Sequence, residues 1–150
     1  MTPTRVILHC SATKNNEKCD ISEIRKWHLE RGFKDVGYHI VVQPDGEIQR
    51  GRALNEVGAH CEGENADSIG ICLIGNDKFT VYQFDALKYQ IDGIRMLYNI
   101  SEWDIYCHYQ FESAIKRGKT CPNIPINNIL GWYVGRSYKA LNNFLIKVME

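Results

Sequence analysis

The chain has 150 residues, 44% of them hydrophobic and 24% charged, and its 18 basic and 18 acidic residues give a formal net charge of zero. This length fits one domain, residues 1–150, with a substantial buried core. A neutral chain has no general attraction to nucleic acid or anionic lipid, and no apolar run approaches the roughly 20 residues of a membrane helix. We therefore expect a monomer with neither a nucleic-acid nor a membrane partner.

The N-terminus leads directly into a short apolar run, Val6-Ile7-Leu8, which is too short for the apolar region of a signal peptide. We therefore expect cytoplasmic synthesis without a signal peptide. The chain contains six cysteines, which could pair into three disulfides. A reducing compartment and a core of this size favour free thiols instead, with one cysteine left as a metal ligand.

The first predicted element is a buried strand at residues 5–9, which ends in His9. A histidine at the end of a central strand lies where α/β sheets usually present functional groups. The alternative is a core histidine whose ring nitrogens are hydrogen-bonded to the backbone. Taken alone, the position of His9 leaves both interpretations open.

A helix is predicted over residues 20–31. Asp20 can cap its first turn, and Glu23 three residues later completes a capping-box pattern. The helical spacing of apolar residues places Trp27 in the core. His28 either lines a groove or makes a structural hydrogen bond.

A β-hairpin is predicted next, with strands at 37–43 and 47–50 joined by a Pro-Asp-Gly turn at 44–46. Tyr38 begins the first strand, so its hydroxyl either projects into a cleft or packs against the core. The following segment, 52–67, has little periodicity and is rich in Gly, Asn and Glu. A loop of this length in a compact domain is typically functional or mobile.

The rest of the chain is predicted to alternate between strands at 68–74 and 104–108 and helices at 83–99 and 137–149. This alternation indicates an α/β or mixed α+β fold, with a central, mainly mixed sheet flanked by helices. The helix at 83–99 is expected to cover the sheet with its apolar side chains, Phe84, Leu87, Ile91, Ile94, Met96, Leu97 and Tyr98.

Two predicted strands end in histidine, His9 and His108. If these strands are neighbours in one sheet, both imidazoles emerge at the same edge. With Cys121 they make two nitrogen donors and one thiolate, a catalytic zinc set that leaves one coordination position open. Lys119 precedes Cys121 by two residues and can place a positive charge beside that position. The sequence therefore predicts a zinc site.

A thiol hydrolase is the rival interpretation of the same segment, with Cys107 or Cys10 as the nucleophile and a histidine as its base. Adjacent residues on a strand point to opposite faces of the sheet. Cys107 and His108 are therefore poorly placed to form such a dyad.

A series of short motifs runs in order from about residue 5 to residue 122 and resembles the zinc N-acetylmuramoyl-L-alanine amidases of the amidase-2 type. That family includes short phage endolysins and the peptidoglycan recognition proteins. The spacing from His108 to Cys121 is longer than in the nearest phage members, so residues 111–115 are expected to form an extra loop. The motifs are His9-Cys10-Ser11-Ala12-Thr13, Trp27-His28, Asp35-Val36-Gly37-Tyr38-His39, Pro44-Asp45-Gly46, Gly51-Arg52, Gly58-Ala59-His60, Ser68-Ile69-Gly70-Ile71 and Lys119-Thr120-Cys121-Pro122.

The resemblance implies a zinc-dependent enzyme that cuts the amide bond between the lactyl group of N-acetylmuramic acid and L-alanine in bacterial peptidoglycan. It implies endolysin-like action on the cell wall, with zinc at the floor of a groove. A non-catalytic peptidoglycan-binding module is the alternative that the same family allows. The implied roles are zinc ligation by His9, His108 and Cys121, catalysis by Tyr38 and Lys119, and substrate binding by His60.

Overall fold

The computed structural model describes residues 1–147, and within them the chain forms five strands and four α-helices. None of these helices has both the length and the apolarity needed to cross a membrane. The strands are β1 (Arg5–Cys10), β2 (Ile40–Val42), β3 (Ile48–Arg50), β4 (Ser68–Leu73) and β5 (Ile105–Cys107). The helices are α1 (Ile21–Glu30), α2 (Val81–Tyr98), α3 (Glu112–Lys116) and α4 (Ile126–Tyr133), with short 3-10 segments at Asn65–Asp67, His108–Gln110 and Tyr138–Phe144.

The five strands form one mixed sheet in the order β3-β2-β4-β1-β5, which confirms the predicted fold class. β1 runs parallel to both β4 and β5, and β2 runs parallel to β4. Only the hairpin of β2 and β3 is antiparallel among these pairs. Its turn is closed as its sequence predicts, since the Asp45 carboxylate accepts a hydrogen bond from the backbone N–H of Glu47 at 2.9 Å.

Helices cover both faces of the sheet. On one face the Phe84 ring of α2 packs edge-on against Trp132 of α4, with ring centroids 5.2 Å apart. On the other face Ile24 of α1 packs with Val41 and Cys72. Because side chains alternate along a strand, Leu8 of β1 packs on the face of the sheet covered by α2, and His9 points to the face covered by α1. The groove described below opens on that second side.

The prediction that Trp27 lies in the core is wrong, since its side chain is 41% exposed. The buried positions of α1 are Ile24 and His28, four residues apart, so the buried stripe is narrow and Trp27 lies beside it. On α2 the predicted burial of Met96 and Leu97 is also wrong. The buried stripe runs at helical spacing through Phe84, Leu87, Ile91 and Ile94, and both later side chains fall outside it.

The predicted C-terminal helix at 137–149 is also wrong. Residues Tyr138–Phe144 form a 3-10 segment, and Leu145 then forms a parallel β-bridge with Phe79. The extended backbone is held there by two hydrogen bonds, from Phe79 N to Phe144 O and from Ile146 N to Phe79 O, each 2.8 Å long. A continuous helix could not make this pairing. Residues 148 and 149 of the predicted helix lie outside the described residues.

Thr80→Ala is expected to destabilise the fold by about 1–2 kcal/mol, because Thr80 is the N-cap of α2. Its hydroxyl accepts from the Gln83 N–H at 3.1 Å and donates to the Pro44 carbonyl at 2.5 Å, which ties α2 to the hairpin turn. Urea unfolding measures the loss. Thr2→Ala, at an exposed threonine, is the matched control. Equal losses in the two variants would contradict the capping role.

Candidate metal centre and catalytic groove

A groove with a volume of about 450 Å³ lies at the carboxyl ends of β1 and β5. This is the edge at which parallel strands of an α/β sheet usually present functional side chains. The structure brings all six sequence-predicted site residues into its lining, namely His9, Tyr38, His60, His108, Lys119 and Cys121.

The three predicted metal ligands converge at the floor of this groove. β1 pairs with β5 so that Leu8 lies opposite Cys107. His9 and His108 therefore lie side by side, one residue beyond this pair. Their ring centroids are 4.4 Å apart. The Nδ1 atom of His108 lies 3.1 Å from the Cys121 sulfur, and one ligand atom from each of the three residues lies within 4.8 Å of the other two. The predicted adjacency of the two strand ends is therefore confirmed.

The three side chains form a hydrogen-bonded cluster in which the pKa shifts favour a neutral His9, a protonated His108 and a deprotonated Cys121. Burial lowers the pKa of His9 to about 4, so its imidazole is neutral at neutral pH. A hydrogen bond from Cys10, followed by one from His108, holds the pKa of Cys121 well below its usual range. Burial acts against the positive charge of His108, but hydrogen bonds to Cys121 and Cys61 raise its pKa to about 9. The lowered pKa favours the thiolate form of Cys121, which is the form that binds metal ions.

This donor set fits a divalent metal ion. Thiolate sulfur and neutral imidazole nitrogen are the ligands that zinc prefers, whereas magnesium and calcium prefer oxygen. His108 would release its second ring proton when a cation binds, because only a neutral imidazole is a metal ligand. Three protein donors leave a coordination position for a reactant, as catalytic zinc sites do. His9, His108 and Cys121 are thus the residues that would hold such an ion.

Tyr38 lies on the α1 side of this floor, with its ring centroid 5.1 Å from that of His9. Its carbonyl accepts a hydrogen bond from the backbone N–H of Arg52 at 3.0 Å, which fixes the entry to β2. Burial raises the pKa of the Tyr38 phenol well above its usual value. The phenol therefore keeps its proton, and Tyr38 lines the groove beside His9.

Lys119 follows a segment, residues 111–115, that the sequence interpretation assigned to an extra loop. That prediction is wrong, because residues 112–116 form the helix α3. The helix ends where Gly118 adopts a left-handed conformation (φ +65°), and the Lys119 N–H then bonds back to the Ala114 carbonyl at 2.9 Å. This C-terminal turn directs the chain into the Lys119 to Cys121 segment.

His60 lies behind His9, with only 9% of its surface exposed. Its Nδ1 atom is 2.9 Å from the Nε2 atom of His9, and its Nε2 atom is 3.2 Å from the hydroxyl of Ser68. Both ring nitrogens are therefore occupied by protein partners. The role of His60 in substrate binding stays a prediction that this placement does not favour.

The chain is similar to known proteins in both sequence and fold. The sequence profile of N-acetylmuramoyl-L-alanine amidases matches residues 1–124. The chain belongs to this amidase family. It is 39% identical over 103 residues to the endolysin of Enterobacteria phage K11, an alignment that covers 63% of this chain and 68% of the endolysin. Alignments with four phage endolysins span 60–68% of their lengths.

Solved structures agree with this assignment. The N-acetylmuramoyl-L-alanine amidase LysC from Clostridium intestinale superposes with a TM-score of 0.76 at 29% identity, covering 87% of this chain and 84% of LysC. Peptidoglycan recognition protein-LE, solved in complex with tracheal cytotoxin, a monomeric diaminopimelic acid-type peptidoglycan, superposes with a TM-score of 0.74 at 27% identity. That match covers 87% of this chain and 81% of the recognition protein. The chain is thus an amidase with the fold shared by these proteins.

The groove of the amidase also contains residues that the sequence interpretation missed or left open. His28 accepts a hydrogen bond from the Gly37 N–H at 2.7 Å and also lines the groove, so both of its predicted alternatives hold. Arg31 and Arg117 add positive charge to the lining. Arg117 forms an ion pair with Glu62, which joins α3 to the loop across the groove. From the sequence, only the cluster of basic residues around 116–119 could have indicated this positively charged side of the groove.

The rival thiol mechanism is disfavoured by where the cysteines of the amidase lie. Cys107 is fully buried in the core on the α2 side, and burial raises its pKa to about 12. Cys10 lines the groove, but its hydrogen bond to Cys121 raises its pKa far above the usual range. Neither thiol is therefore available as a thiolate nucleophile. None of the six cysteines, all of which lie within the described residues, forms a disulfide, which confirms that part of the prediction.

A larger cavity of about 770 Å³ lies elsewhere, beside the hairpin turn and the start of α2. Its described lining includes Lys18, Asp45, Thr80 and Tyr82, but neither histidine nor cysteine. Volume alone therefore does not identify the reactive site. The convergence of His9, His108 and Cys121, which could hold a metal ion, makes the groove the candidate site.

Proposed function

We propose that this amidase is a zinc-dependent enzyme that hydrolyses the amide bond between the lactyl group of N-acetylmuramic acid and L-alanine in bacterial peptidoglycan, and so lyses the cell wall. The observation that carries the proposal is the meeting of His9, His108 and Cys121 within 4.8 Å at the floor of the groove. The endolysins and the peptidoglycan-bound recognition protein among its relatives support the choice of substrate. The catalytic domain in this proposal is the whole chain, residues 1–150.

The chemistry of the proposed reaction divides between the metal and two side chains. Zinc held by three protein ligands supplies Lewis acidity, which polarises a carbonyl group and lowers the pKa of water. Tyr38 keeps its proton because it is buried, and it donates a hydrogen bond to the attacking water or to the tetrahedral intermediate. Lys119 stabilises the developing oxyanion with its positive charge.

The charge of the groove lining suits the proposed substrate. Arg31, Arg117 and Lys119 all line the groove, although the chain as a whole is neutral. Peptide stems of peptidoglycan carry free carboxylates, which such cations attract. Arg117 forms an ion pair with Glu62, which partly neutralises its charge. The positive charges of Arg31 and Lys119 are therefore the less neutralised ones. The groove therefore favours an anionic peptide over a neutral one.

Mass spectrometry of digested peptidoglycan tests the proposed bond. We expect stem peptides that begin with a free L-alanine amine, together with glycan strands that retain their lactyl groups. Peptides cut within the stem, or glycan fragments with new reducing ends, would contradict the assignment. Activity lost on treatment with a chelator and restored by zinc is expected in the same assay.

A non-catalytic peptidoglycan-binding module is the second candidate, favoured by the likeness to peptidoglycan recognition protein-LE. A turbidity assay on purified cell walls separates the two functions. An enzyme clears the suspension, and a chelator stops the clearing. A binding module sediments with the walls and leaves the turbidity unchanged whether or not chelator is added.

A further inference from the structure

We propose that His60 is a positioning residue for the metal centre: it accepts the Nε2 proton of His9 and thereby leaves the Nδ1 electron pair of His9 free for the metal. This assigns His60 a role other than substrate binding. The inference rests on the proposed function to the extent that zinc is the ion bound. It is carried by a chain of hydrogen bonds that runs from the protein backbone to His9.

The direction of each bond in this chain follows from its first member. The hydroxyl of Ser68 lies 2.6 Å from the carbonyl oxygen of Glu64, and a carbonyl can only accept. The single hydroxyl proton is therefore used, and Ser68 must accept from the Nε2–H of His60, 3.2 Å away. A neutral imidazole carries one proton, so the Nδ1 atom of His60 is an acceptor.

The position of the proton on His9 follows from the same argument. Its Nε2 atom lies 2.9 Å from the Nδ1 acceptor of His60, so it is the Nε2 atom of His9 that carries the proton. A histidine must be neutral to bind a metal, which leaves its Nδ1 atom without a proton. Metal-ligating histidines commonly donate their second ring N–H to a protein acceptor, which fixes the tautomer and the ring orientation. Here that acceptor is itself a histidine.

The position of the His60 ring is fixed by close packing as well as by hydrogen bonds. A Cβ atom added at Gly70 of β4 would lie 2.5 Å from the Cγ atom of His60. The His60 ring therefore occupies the space that the side chain of any residue other than glycine would need at position 70. The side chain of Asn65 accepts from the backbone N–H of His60 at 2.9 Å. The strand and the loop therefore hold the acceptor in place beneath His9.

His39 is the matched comparison, because it is also a buried histidine and its ring centroid lies only 5.8 Å from that of His60. Both of its ring nitrogens bond to backbone: Nδ1 accepts from the Gly70 N–H at 3.0 Å, and Nε2 donates to the Glu56 carbonyl at 2.7 Å. His39 therefore belongs to the same packing but not to the chain that ends at His9.

Zinc affinity, measured by competition with a chromophoric chelator, tests the proposal in the full chain. We expect His60→Ala to weaken zinc binding by about 10- to 100-fold, the usual effect of removing a partner of a metal ligand. His60→Asn, whose amide oxygen can take the place of Nδ1, is expected to recover most of the loss. His39→Ala is expected to leave the affinity within about threefold of the wild type, allowing for the usual scatter between independent sites.

Cobalt substitution gives a second readout, since the visible bands of cobalt(II) respond to the coordination geometry. We expect altered bands in His60→Ala and wild-type bands in His60→Asn and His39→Ala. If His60→Ala does not fold, Ser68→Ala carries the test. It keeps the ring but removes the acceptor that orients its proton, and we expect an affinity about fivefold weaker, the effect of one hydrogen bond.

Two results would overturn the inference while leaving the proposed function intact. In the first, His60→Ala binds zinc as tightly as the wild type and raises only the KM for peptidoglycan, which would indicate substrate binding. In the second, His39→Ala weakens zinc binding as much as His60→Ala does, which would indicate a general packing effect. A wild-type protein that binds no zinc would overturn the proposed function and this inference with it.

Discussion

Cys121→Ala is expected to abolish stoichiometric zinc binding and to lower the rate of peptidoglycan hydrolysis by about 10³-fold or more. Cys121 supplies the one anionic donor of the centre, and its sulfur lies 3.1 Å from the Nδ1 atom of His108. Without it, the site retains two imidazoles and loses the charge that balances a divalent cation. Loss of Lewis acidity removes several kcal/mol of transition-state stabilisation, and about 1.4 kcal/mol corresponds to tenfold in rate. Metal analysis of the purified variant, with a turbidity assay, measures both effects.

Cys107→Ala is the matched control for this substitution. Cys107 precedes His108 directly, but its thiol is buried in the core and does not line the groove. We expect this variant to bind zinc and clear cell walls as the wild type does. A Cys121→Ala protein that is fully active without zinc would refute the role of the metal. A Cys107→Ala protein that is inactive but retains zinc would revive the thiol mechanism.

Tyr38→Phe and Lys119→Ala are expected to keep zinc and to lower kcat by about 10²–10³-fold each, which is the usual effect of removing a donor that stabilises an oxyanion. Both residues line the groove, and neither belongs to the three-residue ligand set. The phenylalanine variant removes only the hydroxyl, so packing against His9 is retained. Metal content and kcat, measured on the same preparations, separate catalysis from metal binding.

Lys116→Ala is the control for the lysine variant. Lys116 lies three residues earlier, forms an exposed ion pair with Glu112 and does not line the groove. We expect unchanged kcat and zinc content, so a loss equal to that of Lys119→Ala would indicate a general effect of lowered charge. Full activity in Tyr38→Phe would exclude the phenol from the reaction.

The centre of this fold could be predicted because its determinants are local and periodic. Apolar runs that end in His9 and His108 indicate strands, and parallel strands present their carboxyl ends at one edge. The turn at 44–46 carries its own signal, because a short aspartate side chain can hydrogen-bond the backbone two residues later. The pairing of β1 with β5, which the sequence analysis could state only as a condition, is supplied by the structure.

The remaining features depend on tertiary contacts that no local pattern records. The predicted helix at 137–149 is replaced by a 3-10 segment because Phe144 and Ile146 pair with the backbone of Phe79, more than sixty residues earlier. The predicted burial of Trp27 fails because the buried stripe of α1 is narrow. The two hydrogen-bond partners of His60 could not be predicted from the sequence either, since His9 and Ser68 lie on two different strands.

Anomalous diffraction at the zinc absorption edge, on crystals of the protein purified with zinc, tests the central claim most directly. We predict a single strong anomalous peak per chain, about 2.0–2.1 Å from a ring nitrogen of His9 and of His108 and about 2.3 Å from the sulfur of Cys121. A zinc ion bound to other side chains, such as Cys10 with Cys61, or a metal-free site in a fully active preparation, would contradict the account.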